Sequence, residues 1–348
     1  MASNDSSKKG LFQSKFPVIY TILICLCFIG IIYWQSTVLK ATENSDRTNI
    51  PSAKECVSRM EQLRSSDYKF IRPLYLTDVS NESDEFALLK KDVSNLIEQK
   101  TNAGILTGSG VYFRKLNDGS WFSLNANETF DPGSLIKIPI MITFLKMAEF
   151  NPSLLNKEIL FKDQFSDLPK QSFTEKTIEP GKRYTIRDLL YHMIVFSDNN
   201  ATILLTQNIN SDVFQKLFKD LQLPTPPFNS SVFPVSAFQI SKFMRILYSA
   251  TYINENSAEF ALSLLSQSKF KDGIVAGLPS SIICAHKFGE AGPADMRELS
   301  ETAIVYIGKE TYLLTVMTRG KDINALAGVI KEISSMIYFK MSQANTVS

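Results

Sequence analysis

Histidine is scarce in this 348-residue chain, which has only His192 and His286. Cysteine is nearly as rare: of four, Cys25 and Cys27 fall inside a hydrophobic run, leaving Cys56 and Cys284 far apart. That inventory excludes a disulfide framework and offers no His/Cys spacing of the kind that holds a metal, so neither metal nor cofactor is expected. Net charge is small at +2, and no stretch interleaves basic and aromatic residues, so nucleic acid is not indicated as a partner. The remainder is ordinary globular composition, 44% hydrophobic and 21% charged, in a chain long enough for one domain of about 250 residues with additions.

One long uncharged run stands out. No charged residue occurs from Phe16 to Leu39, and the core from Val18 to Trp34 is long enough to span a bilayer, with Tyr33 and Trp34 where an interfacial belt belongs. Lys8, Lys9 and Lys15 precede it, which keeps the N-terminus cytoplasmic and exports the chain beyond Leu39. A cleaved signal peptide is the competing reading, but the run is long and no small-x-small site comes after it. The expected division is a cytoplasmic tail over 1–15, a transmembrane anchor over 16–38, a linker or stalk over 39–83 and a folded domain over 84–345. A short helix is expected around Lys54–Leu63 within the linker.

Periodicity orders the domain. Glu85–Gln99 carries apolar residues at helical spacing, while Ile105–Phe113 and Trp121–Leu124 read as strands joined by the hairpin signal Asn117-Asp118-Gly119. The middle is helical, including an N-capped helix from Thr185 that ends at Ser197-Asp198-Asn199. Three strand-like runs return at Ile282–Phe288, Ala303–Ile307 and Tyr312–Thr318, with a helix over Asp322–Met341 at the end. The expected fold is an α/β three-layer sandwich: a five-stranded antiparallel sheet built from both chain ends, flanked by the first and last helices, plus an all-helical lobe. The site is expected in a cleft between sheet and lobe.

The stretch from Asp131 to Leu145 is the most unusual. Pro132 and Gly133 break the chain, Ser134 opens an apolar run, and Lys137 is the one charge between Ser134 and Leu145. A hydroxyl at a helix N-terminus lies beside free N–H groups and the positive end of a dipole. An amine one turn away in a dry setting is pushed towards its neutral form and can accept the proton. The same residues also fit a capping serine and a lysine snorkelling to the surface, and Ser-x-x-Lys recurs at Ser6, Ser66, Ser266 and Ser268.

Three elements line up in order: Ser134-Leu-Ile-Lys137, Ser197-Asp198-Asn199 and Lys287-Phe288-Gly289. With Pro180-Gly-Lys-Arg-Tyr-Thr-Ile-Arg-Asp-Leu-Leu before the second and Ile274-Val-Ala-Gly-Leu-Pro before the third, residues 84–345 resemble the class A β-lactamase and penicillin-binding serine hydrolase family. The resemblance implies a serine nucleophile at Ser134, with Lys137 as base or proton relay and Ser197 returning a proton to the leaving nitrogen. It places Asn199, Lys287, Gly289 and Glu290 at the substrate, with the backbone N–H groups of Ser134 and Glu290 forming the oxyanion hole. The substrate would be a β-lactam or the peptidoglycan stem peptide it imitates, met outside a bacterial cell membrane. The alternatives are a D-Ala-D-Ala peptidase or penicillin-binding protein with slow deacylation, or a catalytically retired module that binds cell-wall peptides.

Two positions depart from the family pattern. Leu223–Val235, where its β-lactamases carry a water-activating glutamate, has no Glu or Asp, and the first Glu after Ser197 is Glu255. Phe288 stands where the family has Thr or Ser. His192, among apolar neighbours, reads as packed, and His286 should alternate to the sheet face opposite Lys287.

Overall fold

The computed structural model describes residues 60–166, 168, 171–173, 176–226, 233–308 and 310–344, all within a compact unit spanning Ser58–Ser348. The expected tail and transmembrane anchor lie outside the described residues. Among those described, no helix is long and apolar enough to cross a membrane.

Five strands form the central sheet: β3 (Gly108–Lys115), β4 (Trp121–Leu124), β7 (Ile283–Ala291), β8 (Arg297–Ile307) and β9 (Glu310–Gly320). Their order is β4-β3-β9-β8-β7, with every pair antiparallel. Two strands from the N-terminal side thus join three from the C-terminal end, as the sequence pattern implies. The β3–β4 hairpin closes at the expected signal, with Gly119 at φ +84° in a left-handed conformation that costs glycine nothing.

Strand alternation divides the core into two layers. Phe113, Ala303, Leu314 and Val316 face α1 (Ala87–Asn102) and α8 (Ile323–Ala344), which pack against each other on one side. Tyr112, Ile304, Leu313 and Met317 face the helical lobe on the other. That lobe holds α2 (Lys137–Phe150), α3 (Ile186–Val195), α4 (Asn199–Thr206), α5 (Ser211–Asp220), α6 (Ala237–Tyr248) and α7 (Glu255–Ser266). A short pair, β5 (Glu158–Leu160) and β6 (Arg183–Thr185), leads into α3. Every residue of α2 from Lys137 to Leu145 is buried, so this stretch of the helix has no wet face, and α3, α4, α5 and α7 gather around the helix. Pro139 sits in its first turn, where a missing N–H costs nothing.

The stalk expected over 39–83 is corrected from Met60 onward. Met60–Arg64 (β1) and Leu74–Val79 (β2) pair antiparallel, so the helix expected around Lys54–Leu63 is replaced by a strand over its described residues. The physical reason lies in distant side chains. Arg114 and Arg245 donate to the Thr77 carbonyl at 2.9 and 2.7 Å and pair with Asp78 at 3.2 and 2.8 Å. Trp121 Nε1 donates to Val79 O at 2.7 Å. Local sequence pattern carries no trace of such partners.

Because Asp78 is the one carboxylate among the described residues that pairs with these two guanidiniums, which are 5% and 4% exposed, Asp78→Ala should strand buried charge. The expected loss is about 2–3 kcal/mol, below the full range for buried pairs because Asp78 is partly solvated. Urea unfolding measures it, and an unchanged midpoint would show that the pairing of Asp78 with Arg114 and Arg245 contributes nothing to stability.

Candidate active site

Ser134 lies in a 3-10 turn, Gly133–Ile136, immediately before α2. The turn is pressed against β7. Gly133 has φ +49°, and a Cβ there would collide with the backbone of Glu290, while a Cβ on Gly289 would strike the Pro132 carbonyl. Only glycine at both positions lets the two backbones approach. Phe130 and Val235 exchange backbone hydrogen bonds of 2.9 Å, and Asp131 N donates to Glu298 Oε2 at 2.6 Å, fixing the approach to the turn.

Lys137 does not snorkel: it is 2% exposed. Its Nζ donates to Ser197 O at 2.6 Å, Ser197 Oγ at 3.1 Å and Asn199 Oδ1 at 2.8 Å. Burial pushes its pKa down to about 7, against a smaller upward pull from Asp198. Lys287 reaches the same hydroxyl from the sheet, with Nζ at 3.0 Å from Ser197 Oγ and 2.9 Å from Phe288 O. Burial, reinforced by repulsion from Lys137, holds its pKa well below the usual lysine value. Among the described residues neither lysine forms a salt bridge. Ser197 Oγ is therefore gripped by two amines in a dry setting.

Ser197 takes this position through a left-handed backbone, φ +56°, between α3 and α4. Asp198 combines the capping role expected for this turn with a tertiary one. Its Oδ1 accepts from Asn200 N at 2.9 Å and from Thr177 Oγ1 at 2.8 Å, and its Oδ2 from Ile178 N at 2.8 Å. The structure thus brings together Ser134, Lys137, Ser197, Asn199, Lys287, Gly289 and Glu290. His192 packs among Tyr184, Tyr191 and Phe196. His286 points to the opposite sheet face, where Nδ1 meets Glu301 Oε1 at 2.7 Å. Among the described residues no cluster of His, Cys, Asp and Glu is arranged to hold a metal ion.

Phe288 gives the third motif a different character. Its ring stacks on Phe270 at 4.4 Å and meets Phe173 edge-on at 5.9 Å. Lys287 Nζ lies 4.1 Å from the Phe288 ring centroid, so a π face attends the ammonium where a hydroxyl would otherwise stand.

Sequence reasoning missed Gln171. Its Nε2 donates to Ser134 Oγ at 3.0 Å and to Asn199 Oδ1 at 3.1 Å, and Ser134 is only 6% exposed. The next residue, Ser172, donates from N and Oγ to Glu290 at 2.9 and 2.8 Å, and Arg297 also pairs with that carboxylate. Gln171 lies in an aperiodic connection between β5 and β6, where no spacing announces it. The expected cleft is accordingly covered over Ser134. Two cavities of about 810 and 340 Å³ open elsewhere, against α5 and beside β2.

A family model described as the β-lactamase enzyme family matches residues 88–341. Among solved structures, a mutant of PBP-A in an acyl-enzyme complex with penicillin-G is 18% identical, covering 73% of this chain and 97% of that one, with a TM-score of 0.60. A β-lactamase from Chitinophaga pinensis is 17% identical over 72% of this chain and 98% of that one, with a TM-score of 0.62. An ancestral class A β-lactamase is 18% identical over 71% and 99%, with a TM-score of 0.60. At these identities the likeness is one of fold. A search of curated protein sequences finds no match.

Lys137 titrates near 7 in the fold and near its ordinary, much higher value when unfolded. Below 7 the folded state carries the whole cost of a buried ammonium; as pH rises above 7 the unfolded chain binds more protons, and stability increases. Lys137→Met should therefore raise Tm by several degrees at pH 6 and by progressively less towards pH 9. Calorimetry across that range checks it; a variant less stable than wild type at pH 6 would contradict the assigned cost.

Proposed function

The chain belongs to the β-lactamase enzyme family, whose pattern spans residues 88–341, and from that premise we propose a membrane-anchored, extracytoplasmic serine hydrolase that acylates Ser134. Its substrate is the amide of a β-lactam or of a peptidoglycan stem peptide. The observation that carries this reading is Ser197 Oγ held 3.1 Å from Lys137 and 3.0 Å from Lys287 at the nucleophile. Lysine burial is costly, and a fold that needed only packing would not place two of them around one hydroxyl.

In the proposed reaction Ser134 Oγ bonds to the substrate carbonyl carbon as its proton passes to the Lys137–Ser197 pair. Ser197 hands a proton to the departing nitrogen as the C–N bond breaks, leaving an ester on Ser134. With a pKa near 7, Lys137 is substantially neutral at physiological pH and competent as a base. Lys287 supplies positive potential for a substrate carboxylate. The N–H groups of Ser134 and Glu290, brought together by the paired glycines, are assigned to the oxyanion.

Hydrolysis of the ester is the slower half. Among the described residues Ser134 Oγ is hydrogen-bonded by a carboxamide, that of Gln171, and by no carboxylate. The Glu290 carboxylate is committed to Ser172 and Arg297. This favours a penicillin-binding or D-Ala-D-Ala-peptidase role with a persistent acyl-enzyme over rapid β-lactam destruction. The uncharged run Phe16–Leu39 supports the anchor.

Full-length protein incubated with a reporter penicillin should gain the mass of one adduct that persists, and Ser134→Ala should gain none. Acylation should accelerate as pH rises through about 7, because Lys137 acts as base only after losing its proton. An adduct on Ser134→Ala would overturn the nucleophile assignment, and no adduct on wild type would favour a peptide-binding module. In cell fractionation, release of the protein by alkaline carbonate would overturn the anchor.

A further inference from the structure

Three successive residues, Gln171, Ser172 and Phe173, each lock onto a different part of the site. Gln171 directs Nε2 at Ser134 Oγ (3.0 Å) and Asn199 Oδ1 (3.1 Å). Ser172 donates twice to Glu290, at 2.9 and 2.8 Å, and that carboxylate is held by Arg297. Phe173 packs edge-on to Phe270 at 4.9 Å and Phe288 at 5.9 Å. The carboxamide is thereby oriented rather than free to swing. Its Nε2 can donate but not accept, so Oγ receives a hydrogen bond from this side, and the Ser134 proton must leave by another direction.

A donor aimed at the attacking oxygen stabilises the negative charge that develops there as the proton departs, which is the electrostatic logic of an oxyanion hole applied to the nucleophile. A primary amide cannot take a proton from water at neutral pH, so the same contact gives the ester no base. Resting on the assignment of Ser134 as nucleophile, we propose that Gln171 is a catalytic residue of acylation. It holds Ser134 Oγ and stabilises its developing charge, and Ser172 acts as a positioning residue through it.

The test tracks acylation of the full-length protein by a reporter penicillin, by stopped-flow and intact mass. Gln171→Ala should slow acylation about 10- to 100-fold, the range for losing one hydrogen bond to a charged group, with little change in Tm. Ser172→Ala should slow it less, and the double variant should be no slower than Gln171→Ala. Gln171→Glu keeps the shape but donates only when protonated, so the ratio of its acylation rate to that of wild type should rise as pH falls. If Gln171→Ala does not fold, this ratio decides alone. Wild-type rates in Gln171→Ala, or a ratio independent of pH in Gln171→Glu, would overturn the role of Gln171 while leaving the nucleophile intact. Absence of any adduct on the wild type would overturn both.

Discussion

Two buried lysines with no carboxylate at hydrogen-bond distance among the described residues impose the order of this molecule. An amine in a dry interior needs acceptors, and Lys137 finds them in Ser197 O, Ser197 Oγ and Asn199 Oδ1. Lys287, arriving from β7, finds Ser197 Oγ and its neighbour's carbonyl. The α3–α4 turn must therefore sit between the buried helix and the edge of the sheet. Asp198 holds it there through Thr177 and Ile178. The chemistry attributed to the site and the packing of the lobe onto the sheet are consequences of one arrangement. The cost of that arrangement appears as depressed lysine pKa values.

Much of the fold was legible because local chemistry announces it. The Thr185–Asp188 capping box starts α3, the β3–β4 hairpin closes at Asn117-Asp118-Gly119, and alternation along β7–β9 separates the two sheet faces. The ordered triplets located Ser134, Lys137, Ser197, Asn199 and Lys287, and strand alternation correctly turned His286 away. The features that escaped depend on distant partners. β1 lies in polar sequence, and β2, with which it pairs, is held by Arg114, Arg245 and Trp121. Gln171 reaches Ser134 from an aperiodic connection, and the neighbouring Ser172 is held by Glu290, more than a hundred residues later.

The departures from the family pattern form one consistent environment. Phe288 removes a hydroxyl from the third motif and builds an aromatic cluster with Phe270 and Phe173. That cluster supports the connection that brings Gln171 to Ser134, and it places a ring beneath Lys287 Nζ. A neutral amide and an aromatic wall thus occupy ground where the family's β-lactamases are expected to be more polar. The proposed persistence of an ester on Ser134 rests on these surroundings.

The contact between Gly133 and β7 has a consequence for biosynthesis. The ribosome delivers the turn that carries Ser134 long before β7, β8 and β9, and no other described strand offers the surface on which Gly133 and Gly289 mesh. A nascent chain that has reached α7 already contains Ser134, Lys137 and Ser197. It still lacks Lys287 and the strand edge that completes the pocket. The proposed chemistry therefore waits on the synthesis of β7, and a product terminated before Lys287 would carry an unassembled centre.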